Sequence, residues 1–352
     1  MASAAVLQAP AFQAERLDAT DSRSQPSPVS SYQAPTFIAE KHMCYSPPER
    51  TITLAELHLD PPEATSAVAI TTPFQLLSQE GVHALRADIF RHEVVAKYGS
   101  LKYPGVYRIR GYGPDAPFTY ALWRSEIMRQ TCSAAAGVEL EIVFDYEIGQ
   151  LNVQLDASVD INAPITEVLP PAIPPREPPT GEDEDVEPGA DLKGLVSAWH
   201  NDSYPWVCVL MLSDPVGMKG GETALRTGDG SIVKFPMPGM GYAVMMQGGS
   251  INHAALRCLG KGERITFVTS FRPRDPALKD TSTLRTVKPI SNTDVLFRQW
   301  ATYRLDVISQ RASIMKKELD VKGRSAEDIK KIMAMWTEEQ IEYLRTTVAE
   351  MQ

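Results

Sequence analysis

Basic surplus is missing from this chain of 352 residues: 35 Lys and Arg stand against 44 Asp and Glu, a formal net charge of −9. A nucleic-acid grip normally needs a basic face, so that class of partner is disfavoured. Cysteine is scarce as well. Cys44, Cys132, Cys208 and Cys258 show neither a C-x-x-C pair nor the spacing of a disulfide framework, and they read as reduced thiols in a cytoplasmic protein. No apolar run approaches the length of a membrane span. The N-terminus lacks the basic, apolar, then small-residue order of a secretory signal. The expected partners are a small-molecule substrate and at most a second copy in a homodimer, with no nucleic acid and no membrane.

The length admits one large domain or two ordinary ones and a sizeable core. Residues 1–50, rich in Ala, Ser, Pro and Gln without periodicity, read as a mobile arm, and 51–352 as one domain. Ser78 is a candidate N-cap for a helix carrying Val82, Leu85 and Ile89, and a second helix begins near Ser125. The period then changes to two. Val138, Leu140, Ile142 and Phe144 alternate with other residues, as do Leu151, Val153 and Leu155, predicting two strands joined near Gly149. Residues 157–191 are proline-studded and then acidic, an insertion that serves as a lid or a surface excursion.

Short β-prone runs punctuated by Gly follow, from Val196 through Phe271, and a sandwich or barrel is expected over about 138–273. The tail, 293–352, reads as helical. Ser325-x-x-Asp328 and Thr337-x-x-Gln340 fit capping boxes, and Ile341, Leu344, Val348 and Met351 form one apolar stripe expected to face the barrel. The fold class is therefore α+β, a barrel core with supporting N- and C-terminal helices.

Histidine is also sparse, with six in the chain. His42, His58, His83 and His92 sit in helix or loop contexts and read as packing or surface residues. His200 stands in His200-x-Asp202 at a strand end, where residues two apart share a face of the pleat and can converge on one ion. His253 begins another strand, and Arg264 follows it in a third. Two imidazoles and one carboxylate on one face of an ion leave three adjacent positions open, which suits non-haem Fe(II). Two of those positions can chelate a 2-oxo acid and the third can take dioxygen. A planar guanidinium on a rigid strand can clamp the far carboxylate of that acid. Arg264 is placed for this role, with Thr266 two residues on; Arg257 and Arg272 compete less well. Gln247 faces the same region, and Tyr204 and Trp206 are candidates for the substrate side.

His200-x-Asp202, His253 and Arg264-x-Thr266 resemble the ligand set of the Fe(II)/2-oxoglutarate-dependent oxygenases. The stretches W-H-N-D-S-Y-P (199–205), G-G-E-T-A-L-R (220–226) and V-T-S-F-R-P (268–273) resemble a fungal group of specialised metabolism. That group includes oxygenases that form an aziridine from an amino acid such as L-valine. The resemblance implies a double-stranded β-helix of jelly-roll or cupin-like form. It also implies Fe(II), 2-oxoglutarate and O2, with decarboxylation to succinate coupled to abstraction of a substrate hydrogen. It further suggests Asn152 for contact with 2-oxoglutarate, and Gln154, Ile341 and Tyr343 near substrate. Halogenating relatives lack the carboxylate ligand, so Asp202 favours hydroxylation, desaturation or ring closure. The alternatives are a cupin-like metal module without turnover and a protein hydroxylase.

Overall fold

One long strand organises the molecule. In the computed structural model, which describes residues 32–155, 159–174, 195–259 and 262–352, β16 (Arg264–Pro273) sends its side chains alternately to two sides. Ile265, Phe267 and Phe271 are buried in one core, and Arg264, Thr266, Val268 and Ser270 take the opposite face. β9 (Trp206–Met211) pairs along one edge of it, and β7 (Gln150–Gln154) and β6 (Leu140–Ile142) pair in succession along the other. Beyond β9 lie β13 (Tyr242–Met246), β2 (Val68–Thr71) and β1 (Thr51–Thr53). Beyond β7 lie β5 (Val106–Ile109) and β4 (Gly99–Tyr103). With β3 (Phe74–Gln75) beside β13, these make a ten-stranded antiparallel sheet.

A second antiparallel sheet has four strands in the order β12 (Ile232–Phe235), β11 (Thr223–Arg226), β14 (His253–Leu256), β8 (Leu195–His200). A two-stranded ribbon joins β10 (Lys219–Gly220) to β15 (Cys258–Leu259). Both main sheets feed one apolar cluster, in which Val207, Met211, Val244 and Met246 meet Leu225 and Phe235. The site described below opens from this inner layer.

The outer face of the large sheet is covered by α2 (Gln79–Ile89), α4 (Pro117–Trp123) and α5 (Glu126–Ala136). Ser78 accepts from Gly81 N at 3.0 Å and Ser125 from Met128 N at 3.3 Å, so both helices start where a short polar side chain satisfies an orphan amide. Val82, Leu85, Leu122 and Met128 then pack on Trp206, Cys208, Leu210 and Phe267. Trp123 stacks on Phe267 with ring centroids 5.2 Å apart. Shrinking Phe267 to Ala would cost about 3–5 kcal/mol by the usual cavity relation.

Several expectations fail here for physical reasons. The two strands expected around Gly149 are present as β6 and β7, but they do not pair with each other. Both pair with β16, and between them the chain makes a turn at 145–147 that carries Glu147 inward to Arg110. Residues 34–50 are not part of a loose arm. They hold the short helix α1 (Ala39–His42), and Cys44 N and Ser46 N donate to Leu76 O and Gln75 O at 3.1 and 3.0 Å. Residues 1–31 of that predicted arm lie outside the described residues, as does most of the insertion 157–191. Its described part, 159–174, buries Ala163 and Ile165.

The C-terminal helices α6 (Thr293–Leu319) and α7 (Ala326–Met351) bring a larger correction. The Ser325 box is present, but Thr337 lies inside unbroken α7 and caps nothing. Leu344 and Val348 are exposed, and the buried side of α7 is Gln340, Tyr343 and Thr347. The reason lies in α6. Arg304 Nε donates to Thr347 Oγ1 at 2.9 Å, its Nη2 to Tyr343 O at 2.9 Å, and Trp300 Nε1 to Thr347 O at 3.0 Å. A buried guanidinium needs acceptors, and the polar face of α7 supplies them.

Candidate metal centre

The site grows from a strand pairing. β14 and β8 are aligned so that His253 stands directly opposite His200, with imidazole centroids 4.4 Å apart. His200 is the last residue of β8. Two residues on, past the strand end, Asp202 N donates to Gly248 O at 2.9 Å, which turns the carboxylate back between the two rings. Its Oδ1 lies 3.4 Å from His200 Nε2 and its Oδ2 3.5 Å from His253 Nε2. One ligand atom from each residue falls within 4.8 Å of the others, close enough to share one ion.

The backbone fixes which nitrogen is offered. His200 Nδ1 is hydrogen-bonded to Ala198 O at 2.7 Å and His253 Nδ1 to Ile251 O at 2.9 Å. A carbonyl can only accept, so each Nδ1 carries the proton and each Nε2 keeps its lone pair for a metal. Asp202 Oδ2 is buried without a hydrogen-bond partner, an anionic atom that calls for a cation. Burial raises the Asp202 carboxyl, but His253 and His200 beside it outweigh this and hold it below the usual range. Burial pushes His253 down, whereas Asp202 more than offsets burial at His200 and raises it. Gly248 makes the arrangement sterically possible: a Cβ there would lie 1.9 Å from Asp202 Oδ2.

Register across the large sheet lays out the opposing wall. Arg108 on β5 pairs with Asn152 on β7, Asn152 with Thr266 on β16, and Thr266 with Met211 on β9. One step along, Arg264 pairs with Gln154. Arg264 Nε donates to Gly221 O at 2.9 Å, while its Nη1 is buried and unpartnered. Asn152 Oδ1 is likewise buried and unpartnered. Arg264, Thr266 and Asn152 therefore share one patch of the inner face, with donor and acceptor capacity unused.

Other predicted residues are committed elsewhere. Gln154 Nε2 donates to Cys258 O at 2.6 Å and its Oε1 accepts from Cys258 N at 3.1 Å, which ties β7 to β15 and leaves no amide for substrate. Gln247 Nε2 donates to Ser66 O and Val68 O at 2.9 and 2.5 Å, so it clamps the start of β2 rather than a cosubstrate. Trp206 is fully buried on the helix side of the sheet, its Nε1 donating to Thr65 Oγ1 at 2.9 Å. Tyr204 does line the metal-side cavity, although its hydroxyl is held by Glu147 at 2.8 Å. Tyr343 lines a different cavity, beneath α6 and α7, and Ile341 lines neither.

The metal-side cavity, of about 340 Å³, also contains residues that sequence reasoning passed over: Lys102, Arg108, Arg110 and Arg285. Arg108 and Arg110 stand two apart in a β-prone run, a spacing that places both cations on one face and could have drawn notice.

No protein-family model and no curated protein matches the chain. Solved structures resemble it at low identity. One is a Pseudomonas putida prolyl-4-hydroxylase, 18% identical over 58% of this chain and 92% of that one, TM-score 0.32. Another is a 2OG-Fe(II) oxygenase family oxidoreductase from Burkholderia pseudomallei, 14% identical over 48% and 68%, TM-score 0.31. A third is HygX from Streptomyces hygroscopicus with nickel, 2-oxoglutarate and hygromycin B bound, 13% identical over 54% and 79%, TM-score 0.32.

Proposed function

We propose that this protein is a non-haem Fe(II)/2-oxoglutarate-dependent oxygenase acting on a small metabolite, its two main sheets forming a double-stranded β-helix. The observation that carries this reading is the convergence of His200 Nε2, Asp202 and His253 Nε2 within 4.8 Å, with both Nδ1 protons already given to backbone carbonyls. Such a set binds one face of the ion and leaves adjacent positions open. When bound with 2-oxoglutarate and O2, iron supplies the oxidising power to take a hydrogen from an unactivated carbon. The chain's own residues do the rest. The two histidines and Asp202 would hold the ion. Arg264 would offer its free Nη1 to the far carboxylate of 2-oxoglutarate, with Thr266 and Asn152 beside it. Val207 and Val268 give the cavity an apolar wall.

Because Asp202 fills the third protein position, a halide has no place among the ligands, and hydroxylation, desaturation or oxidative cyclisation is favoured. Our specific choice is aziridine formation from an amino acid such as L-valine, in a cytoplasmic enzyme of specialised metabolism. Purified protein supplied with Fe(II), ascorbate and 2-oxoglutarate should release succinate, and His200→Ala should abolish the release. Succinate formation that survives that substitution, or that needs no iron, contradicts the reading. The ring-closing choice is sunk if mass spectrometry finds no product two hydrogens lighter than any amino acid tested.

A further inference from the structure

Resting on the oxygenase reading, a second binding determinant can be assigned from charge. The chain is acidic overall, yet its metal-side cavity is lined by four cations, Lys102, Arg108, Arg110 and Arg285, against two carboxylates, Glu147 and Asp202. Both carboxylates are already committed. Asp202 lies between the two imidazoles. Glu147 holds Arg110 in a two-pronged pair at 2.9 and 2.5 Å and accepts from Tyr204 at 2.8 Å.

Arg285 is exposed to solvent, and Lys102 and Arg108, both half-buried, are left over in the wall. Neither side chain makes a hydrogen bond or ion pair with another described residue, and Arg108 Nε is buried without a partner. Burial in a cavity wall without a counter-ion is costly for a cation, so the arrangement is unfavourable until an anion arrives. The same conflict shows in their acidities. Burial, with Arg108 adding to it, pushes the Lys102 ammonium down to about 8, and burial together with Arg110 lowers Arg108. Local structure aims them. The β4–β5 ladder slips between Leu101 and Tyr103, so Lys102 is the bulged residue, and bulges redirect side chains. It lines the same cavity as His200 and Asp202, which places it on the metal side. Arg108 sits on the inner face beside Asn152.

We infer that Lys102 and Arg108 bind a carboxylate of the substrate, so that the enzyme takes small aliphatic acids, with the hydrocarbon part against Val207 and Val268 beside the metal ligands. This is separate from the cosubstrate anchor: Arg264 faces Gly221, and it does not line this cavity. A cavity of about 340 Å³ suits a ligand of few heavy atoms.

The test compares acids with their uncharged amides. Calorimetry on the full chain loaded with Ni(II) and 2-oxoglutarate would measure L-valine against L-valinamide and 3-methylbutanoate against 3-methylbutanamide. In at least one pair the acid should bind tenfold or more tightly than the amide. Lys102→Met and Arg108→Gln should each remove most of that preference, Lys102→Arg should restore it, and 2-oxoglutarate affinity should not change. Equal binding of acid and amide in both pairs, including no binding by either, overturns the inference. So does a loss confined to 2-oxoglutarate, which would make these cations the cosubstrate's anchor. The oxygenase reading fails differently: 2-oxoglutarate would not bind the nickel-loaded protein, while the acid-over-amide preference could persist.

Discussion

Two cavities among the described residues are lined by arginines, and the cations in their walls are held very differently. Beneath α6 and α7 lies the larger of the two, about 750 Å³, where Arg304 and Arg311 are satisfied and the exposed Arg285 lines both cavities. Arg304 donates to Thr347, Tyr343 and Asp280 and stacks 3.3 Å over the Tyr343 ring. Arg311 donates to Pro276 O at 2.7 Å and reaches Leu278 O and Gln340 at 3.4 Å. In the smaller, metal-side cavity, Lys102 and Arg108 have no hydrogen-bond or ion-pair partner among the described residues, although Lys102 Nζ stands 5.4 Å from the centroid of the Tyr103 ring. Cations that are hydrogen-bonded all round hold a fold together; cations left open are poised for a ligand.

The largest effects expected are at the metal. His253→Ala should lower Ni(II) affinity, read by calorimetry, by more than the ~10–100-fold that loss of an outer partner costs. Retained affinity would mean the three residues do not ligate. The next comparison sets the cavities against each other. Arg304→Met removes the counter-charge of Asp280 and breaks a buried network, so it should cost about 3–5 kcal/mol in denaturant unfolding while Ni(II) and 2-oxoglutarate binding persist. Arg108→Met has no partner to strand and should leave stability unchanged or raised. Similar losses from both would erase the distinction between them.

A smaller effect is expected at Gly248. A methyl group there would collide with Asp202 Oδ2, so Gly248→Ala should weaken Ni(II) binding by about 10–100-fold, the range for residues that position a ligand. Wild-type affinity in that variant would show that the carboxylate can move aside.

The smallest effect is on pH dependence. With its folded pKa near 8 and an ordinary value of 10.5, Lys102 gives up its proton sooner in the folded protein than in the unfolded chain. The unfolded state then binds more protons between those values, so this residue makes stability rise with pH across that window. Subtracting the Lys102→Met profile from the wild-type profile should expose the rise, and a flat difference would place the ammonium in water.

Period-two patterning made the candidate metal ligands legible. His200 and Asp202 are two apart, His253 opens its own strand, and local spacing carries that much. The inward direction of Asn152, Thr266 and Arg264 was legible for the same reason. Commitments between distant segments were not. Gln154 points inward as alternation requires and Gln247 follows Ala243 and Met245 to the helix side, and their amides are taken by Cys258 and by the Ser66–Val68 backbone, 104 and about 180 residues away in sequence. The bulge that aims Lys102 depends on how β4 meets β5 and leaves no trace in composition. On α7 the apolar stripe of Ile341, Leu344 and Val348 suggested the buried side, and the acceptors demanded by Arg304 chose the other.

The most direct measurement is an anaerobic calorimetric titration of 2-oxoglutarate into the protein with and without Fe(II), repeated with Arg264→Met. Binding should require the metal, and the substitution should weaken it by at least tenfold without altering Fe(II) affinity. Binding that ignores both the metal and Arg264 would contradict a 2-oxoglutarate-dependent iron centre at His200, Asp202 and His253.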